Sequence, residues 1–80
     1  MQTLRIAQTP KGRYSIKLQK ERMPSGAYKY AVRAYNGKNC TSGLIGIEHL
    51  HFAKIAFNDF VRESSHKMQI TLRVVEISTK

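Results

Sequence analysis

Acidic residues are scarce in the first half of this chain: between positions 1 and 38 the only carboxylate is Glu21, against nine lysines and arginines. Over all 80 residues there are 14 Lys and Arg and five Asp and Glu, a formal net +9, so missing acids count as much as surplus bases. Such a charge raises the encounter rate with polyanions, which makes nucleic acid the leading partner class and an anionic membrane the second. Cysteine is nearly absent as well. Cys40 stands alone, which rules out an intrachain disulfide and fits a reducing, cytoplasmic environment. There is no tryptophan and no internal repeat or low-complexity tract, and no apolar run approaches the roughly 20 residues of a membrane helix. The first residues lead into alternation rather than an apolar signal core, so no membrane role is expected. A chain of this length predicts one domain, burying a little over about 60% of its unfolded surface.

What is present is alternation. Leu4 and Ile6 alternate with Thr3, Arg5 and Ala7, and Thr9-Pro10-Lys11-Gly12 then supplies a turn. Arg13 to Lys20 places Tyr14, Ile16 and Leu18 on one side and Arg13, Ser15, Lys17 and Gln19 on the other. Met23-Pro24-Ser25-Gly26 breaks the run, since Pro24 cannot join a central ladder and Gly26 accepts positive φ. Ala27 to Tyr35 alternates again, and Asn36-Gly37 signals a two-residue hairpin. That turn sets Val32 opposite Thr41 in a fourth strand over about 38–45, with a bulge near Gly43 to keep Leu44 off the charged side.

From Ile47 to about Glu63 the period changes to helical, with Leu50, Ala53, Phe57, Phe60 and Val61 on one face. Gly46 is expected at the N-cap and Ser64-Ser65 at the exit. Met68, Ile70, Leu72 and Val74 then predict a last strand. The fold class is therefore α+β, a mostly antiparallel sheet of four to five strands backed by one helix, in the order ββββαβ.

The helix must cover the apolar side of the sheet, expected to hold Leu4, Ile6, Tyr14, Ile16, Leu18, Tyr28, Tyr30, Val32, Ile45, Met68, Ile70, Leu72 and Val74. Because successive side chains point to opposite faces, the uncovered side receives Arg5, Arg13, Ser15, Lys17, Gln19, Lys29, Arg33, Tyr35, Lys38, Gln69, Thr71 and Arg73 and no acid. Bases on a solvent face and lysines guarding sheet edges are ordinary. A face of seven bases with no acid to relieve their repulsion is not, and it points to binding. The candidate contact residues are Arg5, Arg13, Lys17, Lys29, Arg33, Tyr35, Lys38 and Arg73. Duplex DNA is favoured over single strands because Tyr35 alone offers an outward ring for stacking; RNA stays open.

Arg13-Tyr14-Ser15-Ile16-Lys17, Tyr28-Lys29-Tyr30-Ala31-Val32-Arg33, Asn36-Gly37-Lys38 and the helix behind them resemble the arm-binding domains of tyrosine recombinases and the plant ethylene-response-factor domain. The resemblance covers residues 12–61. It implies a three-stranded sheet inserted into the major groove and backed by a helix. This chain departs from that pattern in its extra strand at each end and its lack of tryptophan, and the length excludes a complete recombinase.

Other chemistries find little support. His49 and His51 lie about 200° apart around a helix and cannot share a metal. Cys40 lacks an orienting partner for nucleophilic work. The carboxylates Glu21, Glu48, Asp59, Glu63 and Glu76 are dispersed, so no acid–base pair is visible. No enzyme activity and no cofactor are expected. The rival reading is a non-enzymatic interaction module of the kind encoded by phages or mobile elements, an anti-CRISPR-like inhibitor docking on a protein or ribonucleoprotein complex. Tyr35 and Met23 would be its anchors. An unpaired edge strand leaves a homodimer open.

Overall fold

A computed structural model describes residues 1–77 of the chain. Five strands, β1 (Gln2–Gln8), β2 (Tyr14–Arg22), β3 (Tyr28–Asn36), β4 (Asn39–Ile47) and β5 (Arg73–Glu76), surround one helix in sequence, α1 (Leu50–Met68), between β4 and β5. The strands form one antiparallel sheet in the order β4-β3-β2-β1-β5 with α1 packed across one side, an α+β fold with the expected ββββαβ order. Both strands outside residues 12–61 add to the same flank of the sheet, next to β2.

Turn chemistry fixes the first two hairpins. Pro10 and Pro24 each occupy the second position of a turn closed by a backbone bond, from Gly12 N to the Thr9 carbonyl and from Gly26 N to the Met23 carbonyl, both 2.8 Å. Gly12 and Gly26 follow at φ 72° and 91°, where a Cβ would be strained. The third hairpin differs from expectation. The Gly37 amide donates to the Arg13 carbonyl at 2.6 Å and so extends the β2–β3 ladder past Asn36. Asn36 then pairs with Asn39, and the reversal falls on Gly37 and Lys38 instead of Asn36 and Gly37.

Three bulges reset the alternation. In β1 two residues, Leu4 and Arg5, stand where β2 supplies one, Leu18. Both consequently lie on the helix side and Ile6 passes to the open side, opposite Lys17, against the expected placement of Arg5 and Ile6. In β4, Thr41 is the extra residue between Cys40 and Ser42, and its hydroxyl donates to the Ala34 carbonyl at 3.3 Å. That insertion keeps Leu44 on the helix side opposite Val32, not Thr41 opposite Val32. A further shift between Leu44 and Ile47 contains Gly46 at φ 73°, a strand bulge and not a helix cap.

The core is Ala7, Ile16, Leu18, Val32 and Ala34 from the sheet against Ala53 and Phe57 from α1, with Leu50, Phe60 and Val61 packed at its margin. Burial of each of the largest, Phe57, Ile16, Leu18 and Val32, stabilises the fold by about 1.5–3 kcal/mol. Tyr14, Tyr30, Leu4 and Leu72 are half-buried around them. Tyr28, Ile45, Met68 and Val74 are exposed instead of buried: Tyr28 lies beyond the helix on the β2–β3 hairpin, and Ile45 and Val74 sit on the two edge strands.

The helix starts and ends later than its sequence suggests. His49 is the N-cap, with no side-chain capping bond. Ser64 and Ser65 do not end the helix because both hydroxyls have partners inward: Ser64 Oγ lies 3.2 Å from Tyr14 Oη, and Ser65 Oγ donates to the Ile70 carbonyl at 2.7 Å. Helical residues therefore run through His66 to Met68, and Gln69 closes the last turn in the left-handed region at φ 52°. β5 shrinks to four residues as a result. Among the described residues no helix is long and apolar enough to cross a membrane.

Candidate nucleic-acid interface

Cross-strand partners share a face, so the register reads out the side of the sheet that α1 leaves open. One row runs Val75, Ile6, Lys17, Arg33, Gly43 and the next runs Arg73, Gln8, Ser15, Tyr35, Cys40. Toward the other end come Thr3, Gln19, Ala31 and then Glu21, Lys29. Of the eight expected contact residues, Lys17, Lys29, Arg33, Tyr35 and Arg73 are thus brought to one face.

The other three are elsewhere. Arg5 lies under the margin of the helix, its guanidinium carbon 5.5 Å from the Phe57 ring centroid and its Nε donating to both Glu76 oxygens at 2.8 and 2.9 Å. The β1 bulge put it there. Hydrogen bonding by Arg5, aided by its charge and that of Lys54, holds the Glu76 carboxyl below its ordinary range against a smaller opposing effect of desolvation. Arg13 precedes β2 in the first turn, where with Lys11 it rims a groove of about 770 Å³ floored by Tyr14, Met68 and Ile70. Lys38 occupies the third hairpin turn, displaced from the face by the shifted reversal. Gln69 and Thr71, expected on the open face, belong to the helix cap and the link to β5.

The open face is not free of acid. Glu21 belongs to β2, not to the loop, and lies directly opposite Lys29. Its carboxylate and the Arg33 guanidinium approach to 2.5 Å with side chains only 22% and 19% exposed. Residues 21 and 33 reach toward each other across the Gln19–Ala31 row, which accounts for the burial of Ala31 and Gln19 although no helix or strand covers them. The approach lacks hydrogen-bond alignment at the buried Glu21 Oε1, so that oxygen gains the guanidinium charge without a directed N–H. Arg33 Nη1 donates to Gln19 Oε1 at 2.7 Å and to Met1 Sδ at 3.7 Å, and Gln19 Nε2 donates onward to Tyr35 Oη at 3.3 Å. Lys17 Nζ rests 5.0 Å from the Tyr35 ring centroid, a cation–π contact.

These contacts separate two roles. Arg33 and Gln19 are consumed internally and hold Tyr35, whose half-buried ring in turn steadies Lys17. Gly43 makes this possible, because a Cβ there would fall 3.0 Å from the Val32 carbonyl oxygen and 3.2 Å from Arg33 Cγ. Lys17, Lys29 and Arg73 remain as the cations that can meet a ligand, with Arg13 and Lys38 at the turn end. Sequence reasoning also missed Lys20 and Arg22, which share the helix-side phase on the β2–β3 hairpin; Lys20 Nζ lies 4.3 Å from the Tyr28 ring centroid. Continuing the β2 alternation past Leu18 would have found both. His49 and His51 flank Phe52 edge-on, and among the described residues no three His, Cys, Asp or Glu side chains are grouped to hold a metal.

Comparison of the chain with protein-family models, with curated proteins and with solved structures gave no match.

Proposed function

We propose that this protein is a non-enzymatic, cytoplasmic nucleic-acid-binding module that takes duplex DNA through the open sheet face, using Lys17, Lys29 and Arg73 together with Arg13 and Lys38 at the turn end. The carrying observation is where uncompensated negative charge sits. Glu21, Asp59 and Glu76 are in ion pairs with Arg33, Arg62 and Arg5, and the remaining carboxylates, Glu48 and Glu63, belong to α1 and the link before it. The open side therefore offers phosphates a surface whose one acid is already neutralised. The pattern-level likeness of residues 12–61 to arm-binding and ethylene-response-factor domains supports the same reading, as does the lone, exposed, free thiol of Cys40 for a reducing compartment.

Width defines the mode. Five strands at about 4.8 Å spacing put about 19 Å between the outer two, more than the major groove of about 12 Å admits. The sheet accordingly lies across the groove and contacts phosphates on its walls, with Arg33 too occupied for bidentate guanine readout. Five phosphate contacts imply a log–log salt slope of about −4.5, or several hundredfold in affinity between about 50 and 200 mM salt. Single strands bind more weakly, since Tyr35 is the lone stacking ring on the face.

The test is fluorescence anisotropy with random duplex, single strand and structured RNA at two salt concentrations. Duplex affinity should fall with salt as stated, and Lys17→Gln with Arg73→Gln should weaken it about tenfold or more while leaving the melting temperature nearly unchanged. Absence of binding to all three at low salt defeats the reading. One observation favours a second: Phe52, 59% exposed, and Ile55 lie on the outer side of α1, as anchors for a protein or ribonucleoprotein partner would. That reading takes precedence if nucleic acid fails to bind.

A further inference from the structure

The two edges of the sheet are unlike. β5 is four residues long, carries Arg73 and Glu76, and has Glu76 tied to Arg5, the devices by which proteins keep a free edge from pairing. β4 is neither short nor charged, and its protection is confined to two bulges. Its nine residues, Asn39-Cys40-Thr41-Ser42-Gly43-Leu44-Ile45-Gly46-Ile47, include no charged residue and no proline, and all but Ile47 are exposed. Every other strand of this +9 chain holds at least one base.

We propose that β4 is the site at which a second copy of this chain adds, antiparallel and centred on Gly43, giving a two-fold dimer with one continuous ten-stranded sheet. Charge selects the occupant. Two copies of a strongly basic protein repel wherever their lysines and arginines meet, and β4 is the one strand of the sheet where they do not. An acidic strand from another protein would find its complement on the open face, and nucleic acid finds no cation along β4.

Geometry selects the centre. The β4 bulges at Thr41 and between Leu44 and Ile47 bracket a regular stretch, Ser42 to Leu44, whose partners in β3 are Ala34, Arg33 and Val32. Pairing about Gly43 sets Ser42 opposite Leu44 of the copy and Thr41 opposite its Ile45, uncharged at every position. It also removes from water Leu44 and Ile45, now 49% and 66% exposed, which a monomer leaves uncovered. The two-fold axis stands normal to the sheet, so both helices lie on one side and both open faces on the other. Dimerisation therefore joins two basic faces into one without burying Lys17, Lys29 or Arg73.

Sedimentation velocity without nucleic acid tests the proposal independently of the binding reading. At about 0.3 M salt, where exposed charges are largely screened, the full chain should sediment as a dimer at about 100 µM and dissociate on dilution. Leu44→Lys sets new positive charge into the paired strip of both copies and should weaken association about tenfold or more. Val75→Lys, on the opposite edge, should leave association unchanged, and circular dichroism of both variants should match the parent. A parent that stays monomeric at this concentration overturns the proposal, as does a dimer that Val75→Lys breaks and Leu44→Lys does not.

Discussion

The two sides of the sheet exclude water by different means. On the helix side Ile16, Leu18, Val32 and Phe57 interlock as hydrocarbon, whereas on the open side Ser15 and Ala31 are buried under a polar layer in which Arg33, Gln19 and Tyr35 are hydrogen-bonded and Glu21 is ion-paired to Arg33. Hydrocarbon packing is non-directional and tolerates repositioning. The polar layer is directional, so it can hold Lys17 and Tyr35 in place while remaining wettable. One side stabilises the fold; the other presents charge in a fixed arrangement.

Substitution should expose that division. Phe57→Ala removes the largest fully buried side chain and leaves a cavity, and denaturant unfolding should show a loss of about 3–5 kcal/mol. Arg33→Ala removes the hub of the polar layer and leaves Glu21 with only Lys29 near it; a loss of about 2 kcal/mol is expected. A double-mutant cycle of Arg33→Ala with Glu21→Gln should give a coupling of about 1 kcal/mol, and additivity would mean that the two side chains are independent. The smallest effect concerns β5. Glu76 has a lowered pKa, so its contribution is complete above the ordinary glutamate value of about 4.3 and is lost as pH falls through the lowered value. Amide exchange in β5 should accelerate over that acid window while β2 and β3 stay protected; uniform exchange across the sheet would show that Arg5–Glu76 does not pin the edge.

Much of the fold was legible because it depends on residue type. Alternation in β2 and β3, Pro-then-Gly turns at Thr9–Gly12 and Met23–Gly26, and the 3, 4, 3 spacing of Leu50, Ala53, Phe57, Phe60 and Val61 each have a local cause. What was hidden depends on hydrogen bonds between distant segments. The insertion of Leu4, the extra Thr41 and the ladder bond from Gly37 to Arg13 carry no composition signature, yet they moved Arg5, Ile6 and Lys38. The end of α1 was missed because Ser64 and Ser65 read as breakers until Tyr14 and Ile70 are seen as their partners. At the candidate site, Lys17, Lys29, Arg33, Tyr35 and Arg73 share a face as their phase required. The exception is Glu21, whose place on that face follows once β2 is continued two residues further.

The insertion in β1 also works as an electrostatic sorting device. With the ladder uninterrupted beyond Thr3, Arg5 would stand directly across from Lys17, itself directly across from Arg33, a file of three cations on adjacent strands. The additional residue substitutes Ile6 in that file and delivers the spare guanidinium to Glu76, where it fastens the last strand to the first. One extra backbone unit thus converts a repulsion at the middle of the sheet into a clasp between the chain's two ends.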